Sequence, residues 1–146
     1  MRFYLSLFAV LFLVSCSSNE DDFSNDNDLE IQAYIEANNL NATKTASGLY
    51  YVITDLGTGA KPASNATVTV NYKGYFTNGN LFDQGQNSTF NLQSVIRGWT
   101  EGLTYFNEGT QGWLLIPSNL GYGNSGSGSI PGGAALIFSI HLLSIN

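Results

Sequence analysis

Cysteine and histidine are almost missing from this chain, which has one of each, Cys16 and His141. That scarcity excludes an internal disulfide and a zinc cluster, and it leaves no ordinary nucleophile and base pair. His141 falls on the opposite strand face from Phe138, beside Ser139, so it is expected to face solvent. Basic residues are scarce too. Five Lys and Arg against eleven Asp and Glu give a formal charge of −6, so no basic stripe can neutralise phosphates and nucleic acid is excluded as a partner. Gly121 to Gly133 is rich in glycine but has no Lys-Ser/Thr opening a helix behind it, which argues against a phosphate loop and for a mobile flap. No cofactor and no metal are expected. What the chain has instead is 43% hydrophobic and 13% aromatic residues in a length of 146, enough for one core and tight for two domains.

The N-terminal residues have their own pattern. Met1-Arg2 precedes an apolar run from Phe3 to Val14, broken only by Ser6 and too short to span a bilayer as a helix. Leu13-Val14-Ser15-Cys16 resembles a bacterial lipobox, which implies a signal peptide over 1–15 and lipid on Cys16; the alternative is a plain signal peptide with an incidental cysteine. Residues 16–28 are acidic and polar and are expected to form a disordered tether. Ser17 rather than Asp follows Cys16, which favours the outer membrane. Asn19-Glu20-Asp21-Asp22 resembles the acidic tag of some surface lipoproteins, so the periplasmic side and the cell surface both stay open.

Residues 29–48 are expected to be a short helix and a linker. Leu29, Ala33, Ile35, Ala37 and Leu40, with Tyr34, roughly follow helical spacing, and Asp28 could cap the start; a frayed extension of the tether fits equally well. From Leu49 onward, short β-branched and aromatic segments alternate with Gly, Asn and Pro. Val68, Val70 and Tyr72 alternate with Thr67, Thr69 and Asn71 as a half-buried strand requires, and Asn78-Gly79 marks a turn. Val95, Ile96, Trp99, Leu103 and Phe106 share a helical face. Many strands with one helix and no βαβ alternation predict an α+β fold, a curled antiparallel sheet of about five strands wrapped over one short α-helix. Nothing signals an oligomer, and a monomer is expected.

Tyr72, Phe82, Phe90, Trp99, Tyr122 and Phe138 stand beside glycines and turns, with Asp83 as the one charge among them. They fit a concave apolar site, and they fit an ordinary core. Their order discriminates. Val68-x-Val70-x-Tyr72-x-Gly74, Gly79-x-x-Phe82-Asp83, Phe90-x-Leu92 and Val95-Ile96-x-Gly98-Trp99-x-x-Gly102-Leu103 follow one another. Gly109, Ile116-Pro117, Leu120-Gly121-Tyr122-Gly123, Ile130-Pro131 and Leu136-x-Phe138 complete the series. From Leu49 to Ile145 this resembles the FKBP family of peptidyl-prolyl cis-trans isomerases.

The resemblance implies an FKBP-like domain over 49–146 and a pocket whose floor is Trp99 and whose walls are Tyr72, Phe82, Phe90 and Phe138. It places Val95 and Ile96 at the rim, with Ile96 N–H and the Tyr122 hydroxyl donating to substrate carbonyls. It further implies that Asp83 is a carboxylate at the buried edge and that Ile130 closes the pocket from the flap. The implied activity is rotation about Xaa-Pro bonds of exported proteins, with proline-containing polypeptides as partners and macrolides as inhibitors. A non-catalytic proline-binding module or chaperone, or a structural part of a cell-envelope assembly, is the alternative. The chain departs from the family in the flap, where Gly-Asn-Ser-Gly-Ser-Gly-Ser lacks an aromatic or histidine and Gly132-Gly133 replaces the usual proline and polar residue. Both changes are expected to loosen the flap, which bears on substrate preference and macrolide affinity more than on catalysis.

Overall fold

The computed structural model describes residues 22–146. The expected signal peptide, Cys16 and most of the expected tether lie outside the described residues.

In chain order the elements are helix α1 (Ser24–Ala37), strands β1 (Thr43–Lys44), β2 (Tyr50–Asp55), β3 (Thr67–Phe76) and β4 (Leu81–Asn91), helix α2 (Arg97–Gly102), and strands β5 (Gln111–Ile116) and β6 (Leu136–Ile145). Short 3₁₀ turns follow α2 at Leu103–Tyr105 and β5 at Ser118–Leu120. The strands form one antiparallel sheet in the order β1-β2-β5-β6-β3-β4. The expected curled antiparallel sheet over a short helix is present. One detail differs, in that the sheet has six strands because Thr43–Lys44 adds a short edge; the helix expected before the domain is present as a second helix, α1.

That second helix is possible because β5 and β6 are apolar on both faces. Leu114, Ile116, Leu136, Phe138, Ile140 and Leu142 enter one cluster with Trp99, Leu103 and Phe106. Their neighbours Leu115 and Ile137 enter another with Ile31, Tyr50 and Val52. Consecutive apolar residues in a strand mean that both faces are covered, and α2 and α1 are the covers. Helix α2 lies close because it meets the sheet through glycine. A Cβ at Gly98 would sit 2.6 Å from Ile116 Cγ2, and one at Gly102 would sit 2.6 Å from Leu114 Cδ1.

Helix α1 corrects the expectation for 16–48. It starts at Ser24, inside the stretch whose composition predicts a tether, and it is neither frayed nor restricted to Leu29 onward. Its inner face is also not the expected one. Leu29 is 66% exposed, while Ile31 is fully buried with Tyr34 and Ile35 packed beside it. Asp28 does not cap the helix. Phe23 is at the N-cap without a side-chain hydrogen bond, and Asp28 instead pairs with Lys44 Nζ at 2.7 Å and accepts from Tyr50 Oη at 2.9 Å.

Candidate functional site

The site lies where β3, β4 and β6 curl around the start of α2. Ile96 is the N-cap of α2, with extended backbone at φ −58° and ψ 149°, and its carbonyl accepts from Trp99 N and Thr100 N. Thr100 Oγ1 ties the helix start to the Leu92 carbonyl at 2.5 Å. These bonds leave Ile96 N–H without an acceptor among the described residues. They also fix Trp99 one turn in, 4% exposed, with its indole at the base of the cleft.

Three rings meet that indole edge-on. Tyr72 stands 5.2 Å from it at 85°, Phe138 5.3 Å at 85° and Phe90 5.5 Å at 86°. Edge-to-face contacts set the positive rims of rings against a negative face, so each of the three wall rings stands nearly at right angles to the indole and together they form a cup over it. The buried Trp99 Nε1–H has no hydrogen-bond partner among the described residues.

Strand β4 delivers its part of the cup through two irregularities. Gly74 pairs with Asp83 and Tyr75 with Leu81, so β4 carries an extra residue at Phe82. Tyr72 pairs with Gly85 and Val70 with Ser88, so it carries another near Asn87, whose φ is +48°. Each bulge shifts the alternation by one residue. The first turns Phe82 and Asp83 toward the same side, and the second brings Phe90 back to it. Gly74 makes room for this: a Cβ there would lie 2.7 Å from Phe82 and 2.8 Å from Phe138.

The cleft encloses about 400 Å³. Tyr72, Asp83, Phe90, Val95, Ile96, Trp99, Tyr122 and Phe138, all expected from the sequence, line it together. Phe82 and Ile130 do not. Phe82 stands behind the wall, its ring 5.5 Å from Phe138 and 4.9 Å from Phe76. Ile130 is buried in the main core beneath the flap. Ser94 also lines the cleft and was not expected; its position before Val95-Ile96 is the one signal that could have found it. Asp83 proves exposed, not buried at an edge.

Tyr72 Oη donates to Asp83 Oδ2 at 2.9 Å, and Asp83 Oδ1 accepts from Gln84 N at 2.8 Å. Burial and then the Asp83 bond push the Tyr72 hydroxyl up to about 12, so it stays a neutral donor at any physiological pH. Tyr122 is 38% exposed, and its hydroxyl engages no other described side chain. The cleft therefore offers an apolar floor with two uncommitted donors at its rim, Ile96 N–H and Tyr122 Oη.

A larger groove of about 770 Å³ runs over the outer face of the sheet past Lys73, Gln84 and His141. Its walls mix exposed polar side chains such as Lys73, Gln84 and Gln111 with half-buried groups, His141 among the latter. Among the described residues no group of three or more His, Cys, Asp or Glu could hold a metal ion.

Comparison with known proteins agrees with this geometry. The family described as FKBP-type peptidyl-prolyl cis-trans isomerase matches residues 58–143. The FKBP-type isomerase FkpA of Aeromonas hydrophila is 38% identical over 137 residues, covering 91% of this chain and 51% of that protein. Outer membrane protein MIP of Legionella longbeachae is 36% identical over 152 residues, covering 99% of this chain and 65% of that protein. The crystal structure of FkpA from Escherichia coli superposes with a TM-score of 0.75 at 33% identity, over 84% of this chain and 61% of the other. The chain spans about half the length of the FkpA relatives it matches. With its aromatic cup, its family match and these relatives in agreement, the chain belongs to the FKBP-type peptidyl-prolyl cis-trans isomerases.

Proposed function

We propose that the chain catalyses cis-trans rotation about Xaa-Pro bonds of exported polypeptides, and that it does so in the cleft over Trp99. The observation that carries this reading is the buried indole met edge-on by Tyr72, Phe90 and Phe138, beneath two free donors. Rotation about a peptide bond faces a barrier of about 18–20 kcal/mol, because the twisted transition state loses amide resonance. No bond to the enzyme is needed. A prolyl ring laid on the indole removes the imide from water, and a dry apolar cup favours the twisted, less polar form over the planar one. Ile96 N–H and Tyr122 Oη hold the flanking carbonyls, while Tyr72 and Asp83 keep the wall fixed and present a carboxylate at the mouth.

Placement at the cell envelope is part of the proposal. It is supported by the lipobox-like Leu13-Val14-Ser15-Cys16 and by the printed name of the Legionella longbeachae relative. No helix among the described residues is long and apolar enough to cross a membrane. Ser17 after Cys16 favours the outer membrane.

The deciding experiment is a protease-coupled assay of the full chain on Xaa-Pro peptides. Acceleration of cis-to-trans conversion is the expected result. A folded chain that binds proline peptides but leaves the uncatalysed rate unchanged would instead make the cleft a binding module.

A further inference from the structure

Helix α1 lies outside the residues matched by the family, 58–143, yet it reaches the flap of the cleft. The contact is made by Asn27, which is 1% exposed. Its Oδ1 accepts from Ser118 N at 2.8 Å, and its Nδ2 donates to the Gly133 carbonyl at 2.9 Å. Ser118 and Gly133 stand at the two ends of the flap that carries Tyr122.

The backbone closes the figure. Gly133 N donates to the Gly123 carbonyl at 2.9 Å, and Gly123 N donates to the Ser118 carbonyl at 2.8 Å. Asn27, Ser118, Gly123 and Gly133 thus form a closed ring of four hydrogen bonds in which Asn27 supplies the one side chain. Tyr122 is the residue before Gly123. The ring of Phe23 lies against Gly133 from the same end of α1. A buried side-chain amide bridging two backbone groups is costly to remove, because each partner is left without water or a substitute. The glycines expected to loosen the flap are therefore clasped at both ends.

We propose that Asn27 is a positioning residue for the isomerase reaction: from the N-terminal helix it closes a hydrogen-bonded ring that fixes the flap ends and aims the Tyr122 hydroxyl at the substrate. This rests on the isomerase reading above. Asn27 touches no substrate and acts through Tyr122.

A double-mutant cycle on the full chain tests it, with kcat and KM read on a short Xaa-Pro peptide and rates scaled to the folded fraction. Asn27→Ala is expected to lower kcat/KM by about threefold to tenfold, and to do little in a Tyr122→Phe background, as coupled residues do. Asn27→Asp keeps an acceptor for Ser118 N–H and offers no donor to Gly133. It serves with the same expectation where the alanine variant does not fold. Unchanged kcat/KM in a folded Asn27 variant overturns the proposal, and so does an equal loss in both backgrounds, which marks a purely structural role. The wild type is read first: if it leaves the uncatalysed rate unchanged, the isomerase reading itself falls, an outcome distinct from an active wild type indifferent to Asn27.

Discussion

The Tyr72 hydroxyl donates to Asp83 across 2.9 Å, joining the central strand wall of the cleft to the one carboxylate at its mouth. Asp83→Val removes the charge and leaves the hydroxyl without its acceptor. If the carboxylate, or the wall it orients, favours the twisted imide, kcat/KM falls tenfold or more, each tenfold being about 1.4 kcal/mol of transition-state stabilisation. Steady-state kinetics beside a thermal melt separate this from unfolding.

The same pair sets an alkaline limit. Tyr72 is raised from 10 to about 12 in the folded chain, so unfolding makes it easier to ionise. Its contribution to stability is fully present below pH 10 and is lost as pH rises through about 12. Melting temperature against pH is expected to fall over that window more steeply in the wild type than in Tyr72→Phe. Identical slopes would show that the pair does not carry the linkage.

Phe138 serves both stability and the cleft, since it contacts Trp99, Tyr72 and Phe82 at once. Phe138→Ala is expected to cost about 3–5 kcal/mol in denaturant unfolding, through the cavity left behind. Trp99→Leu retains apolar volume but removes the flat floor, so its loss of kcat/KM should exceed what its loss of stability explains.

Ile31 is a test of the outer core. It is fully buried against Leu115 and Ile137, on the face away from the cleft. Ile31→Ala is expected to destabilise by about 2–5 kcal/mol while the folded molecules keep their kcat/KM. Truncation at Thr43 should do worse, because it uncovers that entire face; a truncated chain as stable as the full one would show α1 to be dispensable.

Anchoring is tested at the N-terminus. Cys16→Ser is expected to abolish partition into the detergent phase, and a wild type found wholly soluble after export would remove the anchor. Protease shaving of intact cells distinguishes the cell surface from the periplasmic side.

The legible parts of the sequence were those with a fixed period. Val68, Val70 and Tyr72 alternate in β3 as written, and Trp99, Leu103 and Phe106 do pack in one cluster over the sheet, although α2 ends at Gly102 and Phe106 is already extended, so they do not share one helix as their spacing implies. The cleft itself was legible through the order of its residues, since their types and places alone read more readily as an ordinary core. Helix α1 was legible only in its second half: its start and its buried face were not, because that face combines Asn27 with Ile31, and a buried Asn looks like tether until its partners Ser118 and Gly133, far along the chain, are known. Asp83 likewise reads as a buried-edge group by analogy, and only the curl of the sheet leaves it open to solvent.

Phe82, Asp83 and Phe90 serve one side of β4 although their numbers do not share a parity, and the two bulges are the reason. The strand is, in effect, read in shifted frames, and its length matters as much as its letters. Replacing Asn87 disturbs one unusual backbone angle; deleting it would remove the bulge, set Gln86 alone opposite Asn71, and leave Phe90 opposite Val68 on the side of Trp99. Among related proteins, the loss of one residue between Gly85 and Ser88 should therefore straighten the strand and leave the wall of the cleft in place, with only the count between Asp83 and Phe90 changed.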